Sequence, residues 1–324
     1  MNKLIRICIT LLLTGTALQG FSQRYLSEIF SSVDKTPNVV YAVNIGVLTG
    51  SPQADTLKMD VYEPSGDVQG ERPLILLAHT GSFLPNSPTA PINGQCTGSR
   101  TDSSMVEIAT QFAKRGYVAV VFSYRLGWNP ASSYQDVRTG TLLNAAYRGI
   151  QDARTLVRFF KNNYTNGGNT YGVDTSLIVV GGQGTGGYIS LAVSSLTNYN
   201  ELFLTKFTDG VGTPYADTSL SGDLEGKWNR PLNVGNYTGF NSNVNMTFNF
   251  GGAVGDSSWI EAGEPPMVGF HVPSDPFAPY DYGAVIVPTT GDFVVNVSGT
   301  YGAINNSDRL GNQAPIIALG ISDV

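Results

Sequence analysis

The residues best placed to do chemistry lie at positions 181–188, Gly-Gly-Gln-Gly-Thr-Gly-Gly-Tyr, directly after the apolar run Leu177-Ile178-Val179-Val180. The frame is G-x-S-x-G, in which a strand turns sharply into a helix and lifts a serine hydroxyl clear for attack on a carbonyl. Gly184 stands where that serine belongs, and Gly182 and Gly186 flank it. A residue with a Cβ is strained at the positive φ of such a turn, whereas glycine adopts it at almost no cost. The turn is therefore expected to keep its backbone and to lack its nucleophile.

Such a turn needs a sheet beneath it. Leu57-Lys58-Met59-Asp60-Val61-Tyr62 alternates apolar and polar residues up to Pro64, the pattern of a half-exposed strand. Residues 73–78 and 117–122 are almost continuously apolar, as strands buried on both faces should be. Between them, Met105, Ile108, Ala109 and Phe112 recur at helical spacing and lead into Lys114-Arg115-Gly116, a suitable helix end. Residues 141–162 predict the longest helix, with Ala146, Gly149, Ile150, Ala153, Val157 and Phe160 on one face. A helix from about 186 to 196 follows the glycine turn, and residues 246–250 and 267–271 predict further strands. Strands alternating with helices make a mostly parallel sheet with helices on both faces. Residues 198–243 break this rhythm with Asn, Asp, Gly, Thr and Pro, and predict an irregular insertion where a lid or cap would sit. Residues 315–321 predict a strand or buried segment.

Bulk properties narrow the function classes. The 324 residues include 41% hydrophobic and 14% charged, enough for one large core. Residues 1–22 predict a secretory signal: Lys3 and Arg6 precede a short apolar stretch, and Gly20-Phe21-Ser22 offers a cleavage site before Gln23. The stretch is too short to span a bilayer, which leaves one domain over 23–324. Without Lys3 and Arg6, 17 of the 19 basic residues face 25 acidic ones, a net charge of −8. Nucleic acid and anionic membrane surfaces are poor partners for such a chain. Cys96 is the one cysteine left after the signal, so no internal disulfide is expected. With only His79 and His271 present, no metal site of histidine type and no cofactor is expected.

Taken in order, several segments resemble the α/β-hydrolase superfamily, specifically secreted bacterial carboxylesterase/lipase-like proteins. They are residues 59–64, His79-Thr80-Gly81-Ser82-Phe83, residues 113–118, Phe122-Ser123-Tyr124-Arg125-Leu126-Gly127, residues 145–160, the glycine turn, and Phe270-His271-Val272-Pro273-Ser274-Asp275-Pro276. The resemblance implies an α/β-hydrolase fold and a site around Gly184. His79-Thr80-Gly81-Ser82 would be the oxyanion loop, with Thr80 in place of the usual first glycine. Backbone N–H groups of Gly81, Ser82 and Thr185 would stabilise charge building on a carbonyl oxygen. Asp275 matches the triad acid, which orients a histidine base. His79, Phe83 and Gln183 would face the ligand.

His271 precedes the acid, the wrong place for the order Ser, Asp, His, and matches a structural position at the strand end. No histidine follows it in this chain. Residue types alone read Asp275 as a turn residue before Pro276. Thr185 and Ser190 are poor stand-in nucleophiles, since Thr185 lies past the apex and Ser190 at core spacing. The resulting expectation is a catalytically impaired hydrolase-fold protein able to take a small ester, acyl or glycan ligand. The alternatives are an active ester hydrolase with another nucleophile or with residues beyond Val324, and a ligand-binding or surface-display module. Trp228, Tyr237 and Phe240 could line a pocket or anchor the insertion. Asp256 and Glu261 are expected to cap loops rather than exchange protons.

Overall fold

The computed structural model describes residues 24–85 and 98–320. The expected signal at 1–22 and Cys96 lie outside the described residues. A seven-stranded sheet forms the centre, its strands lying in the spatial order 33–46, 53–64, 118–122, 72–78, 173–183, 246–250 and 267–270. β1 (Val33–Gly46) and β2 (Gln53–Pro64) make an antiparallel hairpin, and β2 runs antiparallel to β4 (Val118–Phe122). From β4 onward, β3 (Arg72–Ala78), β5 (Val173–Gln183), β6 (Met246–Phe250) and β8 (Met267–Phe270) are parallel.

The two apolar runs are buried on both faces, and their alternation divides the core. Leu74 and Leu76 of β3, with Val118 and Val120 of β4, face α2 (Gln135–Asn166) and α3 (Thr185–Ser195). Ile75, Leu77, Ala119 and Val121 face Met105, Ala109 and Ala113 of α1 (Ser103–Lys114). Each large aliphatic side chain buried in this way contributes about 1.5–3 kcal/mol. The mostly parallel, helix-flanked sheet expected from the alternation is thus present.

The differences from the sequence reading have local causes. β1 carries no clean alternation, because its register shifts twice against β2, between Thr36 and Val39 and between Val40 and Ala42. α2 is longer than 141–162 and buries Arg138, Arg148, Arg154 and Arg158 besides its apolar stripe. Residues 253–299 hold a second, antiparallel sheet of β7 (Ala253–Val254), β10 (Phe293–Gly299) and β9 (Tyr282–Ile286), followed by α5 (Thr300–Arg309). The strand expected at 315–321 is instead a short helix, α6 (Ala314–Ile317), with Ile317 and Leu319 exposed. Pro315 sits in its first turn, where the missing N–H costs nothing. The insertion holds 3₁₀ turns and the single-turn α4 (Thr218–Ser221), and is otherwise irregular.

Candidate functional site

β5 ends at Gln183, α3 begins at Thr185, and Gly184 forms the apex between them with φ 54° and ψ −118°. That conformation is reserved almost entirely for glycine or for residues held under strain. The turn closes because its glycines interlock. A Cβ on Gly182 would lie 2.1 Å from the Gly186 carbonyl oxygen, and one on Gly186 would lie 2.0 Å from that of Ala78. The Gly184 N–H donates to the Phe250 carbonyl at 2.9 Å, fastening the apex to the end of β6.

The loop after β3 faces this apex. Gly81, Ser82 and Phe83 all have positive φ, at 128°, 54° and 54°. Two consecutive non-glycine residues in that region persist only when their surroundings enforce it. Here the Ser82 carbonyl accepts from Trp128 Nε1 at 2.6 Å, and the Phe83 carbonyl accepts from the Gly127 N–H at 2.8 Å. Thr80 comes closest to the apex. A Cβ built on Gly184 would lie 2.3 Å from Thr80 Oγ1 and 3.2 Å from Thr80 Cβ. The threonine hydroxyl therefore occupies the space of the side chain that Gly184 lacks.

Both sheets and the insertion enclose a cavity of about 590 Å³ beside the apex. Thr80, Gly81, Ser82, Phe83, Gln183, Gly184, Thr185 and Asp275 all lie on its wall, so most of the sequence-derived site residues do share one surface. Most of its wall is aliphatic and aromatic, with Leu142, Ile150, Ile189, Leu202, Phe207 and Trp259 among the residues that line it. β9 and β10 add Val285, Ile286, Val295 and Val297, a contribution the sequence reading missed along with those strands.

The candidate residues differ in what they are free to do. Asp275 Oδ1 accepts the Phe277 N–H at 2.8 Å and the Ala278 N–H at 3.1 Å, the turn role its place before Pro276 suggests. Gln183 keeps a place on the wall, but its Oε1 accepts from Ser104 Oγ at 2.9 Å. Thr185 Oγ1 turns away from the apex to Tyr124 Oη at 3.1 Å. Ser190 is buried and donates to the Phe248 carbonyl at 2.8 Å.

His79 does not face the ligand space, which corrects the binding role expected for it. Its ring is buried and stacked on Tyr124 at 4.6 Å, and Nδ1 meets the Thr80 carbonyl at 2.5 Å. Burial holds its pKa down to about 4, so the ring is neutral at neutral pH. His271 is equally committed. Nδ1 meets Thr300 Oγ1 at 2.8 Å, and Nε2 lies 3.2 Å from the Ala278 carbonyl and 3.5 Å from Asp275 Oδ2. Neither histidine lines the cavity.

The insertion is held down rather than hinged. Arg125, fully buried, pairs with Asp152 of α2 at 2.9 Å and donates to the Leu232 carbonyl. Arg154 donates to the Leu224 carbonyl, Arg158 to those of Glu225 and Asn236, and Gln151 to those of Ser221 and Asp223. The planar guanidinium serves several fixed carbonyls at once, which suits it to fastening irregular backbone. Tyr237 also anchors, donating to the Tyr41 carbonyl at 2.8 Å, while Trp228 is half exposed beside Arg230. Neither lines the cavity. Asp256 caps the 3₁₀ turn at 257–259 through the Ser258 N–H and pairs with Lys206, as a capping residue should.

No family model matches the chain, and no curated protein matches it in sequence. Among solved structures, it is similar to a truncated carbohydrate esterase from gut microbiota, at 17% identity and TM-score 0.50, covering 88% of this chain and 86% of that one. Esterase 2 of Thermogutta terrifontis phosphorylated by paraoxon aligns at 19% identity and TM-score 0.44, covering 78% and 74%. The native form of that esterase aligns at 17% and 0.45. The sheet order, its flanking helices and the first of these likenesses together establish an α/β-hydrolase fold.

Proposed function

We propose that this is an exported α/β-hydrolase-fold protein of the carboxylesterase/lipase type that binds an ester or acyl ligand at the retained elbow without running serine-esterase chemistry there. One observation carries this reading. The apex of the elbow is Gly184, and neither histidine of the chain reaches the wall on which it stands. A serine-type reaction needs a nucleophile and a base that takes its proton. The Gly81–Ser82 loop and the Thr185 N–H keep the oxyanion role implied by the resemblance. They act here as polar contacts for a ligand carbonyl, with Asp275 as a turn residue on the same wall. A glycan ligand fits less well, because the depth of the cavity offers few polar partners.

The test is turnover of p-nitrophenyl butyrate by the full chain and by Gly184→Ser. Both are expected to stay near the no-enzyme rate, because an oxyanion hole and binding alone give on the order of 10³-fold over water at best. Robust turnover by the parent chain, or full recovery by the serine variant, would overturn the reading. Export is tested separately, by sequencing the N-terminus of the secreted protein, which is expected to begin at Gln23.

A further inference from the structure

Three features of the cavity wall bear on what it can hold. Thr80 Oγ1 stands in the seat of the missing nucleophile. Among the described residues its hydroxyl has no hydrogen-bond partner, and the hydrogen bond from His79 uses the Thr80 carbonyl instead. Asp275 is the one charged residue on the wall among the described residues; no lysine or arginine lies there, and its neighbour His271, 3.5 Å from Oδ2, stands behind the wall and is committed to Thr300 and Ala278. The rest of the wall is mostly aliphatic and aromatic.

We propose that the cavity retains an intact amphiphile with an aliphatic body and one small uncharged head, and that Thr80 Oγ1 holds the head. The proposal rests on the non-hydrolytic reading above and names its ligand class. An apolar body removes water from the deep walls, the main source of affinity in such a pocket. An uncharged head fits because a carboxylate would be desolvated on the same wall as Asp275, with no lysine or arginine on that wall to offset it. A hydroxyl or ester carbonyl needs only one donor or acceptor, and a threonine hydroxyl supplies either. Thr80 is thus a specificity-determining residue. It replaces a covalent contact with a hydrogen bond.

Trp128 and Trp259 both stand on the wall, so intrinsic fluorescence reports occupancy directly. The protein is titrated with 1-alkanols and methyl alkanoates of increasing chain length, and with the matching alkanoates at pH 8. Affinity for the neutral series is expected to rise about 4-fold per added CH₂ until the cavity is full. The alkanoates are expected to bind at least about 10-fold more weakly, with Asp275→Asn narrowing that gap. Thr80→Val is expected to weaken 1-alkanol binding by about 5-fold and Thr80→Ser to preserve it. Ala192→Phe, which fills part of the wall, should abolish the dependence on chain length. Alkanoates binding as tightly as alkanols, Thr80→Val binding like the parent, or chain-length dependence surviving in Ala192→Phe would each overturn the proposal. Hydrolysis of the methyl esters would instead sink the non-hydrolytic reading. The alkanols have no bond to cleave, so the head-group test stands apart from that result.

Discussion

The glycine elbow and the insertion at 198–243 achieve rigidity in opposite ways. The elbow is short, its backbone is set by glycines that leave no room for a Cβ, and its loop partner is held at positive φ. The insertion has almost no regular structure. Its carbonyls are instead captured by Arg125, Gln151, Arg154 and Arg158 from the strand end and helix behind it. One region owes its shape to what is missing from its side chains, the other to long side chains belonging to a different element. A segment without periodicity can therefore be as fixed as a motif, provided its backbone groups find buried partners.

The largest effect should come from cutting the insertion loose. Arg125→Met leaves Asp152 buried without its cation and frees the Leu232 carbonyl. Breaking one side of such a pair costs about 3–5 kcal/mol, readable as a shift in urea midpoint. Faster hydrogen exchange is expected at 221–236 before it appears at 181–188. Simultaneous loosening of both regions would mean that they are not separately held.

The elbow and the segment at Glu264, which lies outside the insertion but feels the charge of its Glu201, should also respond oppositely to pH. His79, beneath the elbow loop, has its pKa lowered to about 4 by burial. The unfolded chain, titrating near 6.5, takes up the proton first. Its contribution is therefore complete above pH 6.5 and is lost as pH falls toward 4, by up to about 3 kcal/mol. Burial, reinforced by the charge of Glu201, raises the Glu264 pKa to about 8. It favours folding below its ordinary pKa near 4.5, and this contribution is lost as pH rises through about 8. Urea denaturation at pH 5, 7 and 9 checks both signs. His79→Gln should flatten the acid limb and Glu264→Gln the alkaline one.

A smaller effect is expected at the apex itself. Gly184→Ser forces a Cβ to positive φ and toward Thr80, costing about 2 kcal/mol. Adding Thr80→Gly should recover about 1 kcal/mol of that, a coupling that a double-mutant cycle measures. Additive costs would show that Thr80 and Gly184 do not share one seat.

The elbow was legible in the sequence because a motif in which glycine, strand and helix meet leaves fixed spacings, and buried strands such as 73–78 leave unbroken apolar runs. The resemblance in segment order pointed to Asp275 and the 79–83 loop, and the structure places Asp275 and residues 80–83 on one wall. The anchoring of the insertion was not legible. Gln151, Arg154 and Arg158 sit at spacings that equally suit a solvated helix face, and nothing local marks them as buried. His79 misled for a related reason: its place beside the loop is conveyed by sequence, but the direction of its ring is set by packing on Tyr124. Thr80 in place of a glycine and Gly184 in place of a serine were both visible. That they compensate each other in one space required coordinates.

Under the proposed function the elbow presents no activated nucleophile. Intact-mass spectrometry of the full chain after exposure to a serine-reactive phosphonate tests it most directly. An unchanged mass, with no adduct on Thr80 or elsewhere on the cavity wall, is the expected result. A stoichiometric adduct that forms in step with loss of ester turnover would contradict it.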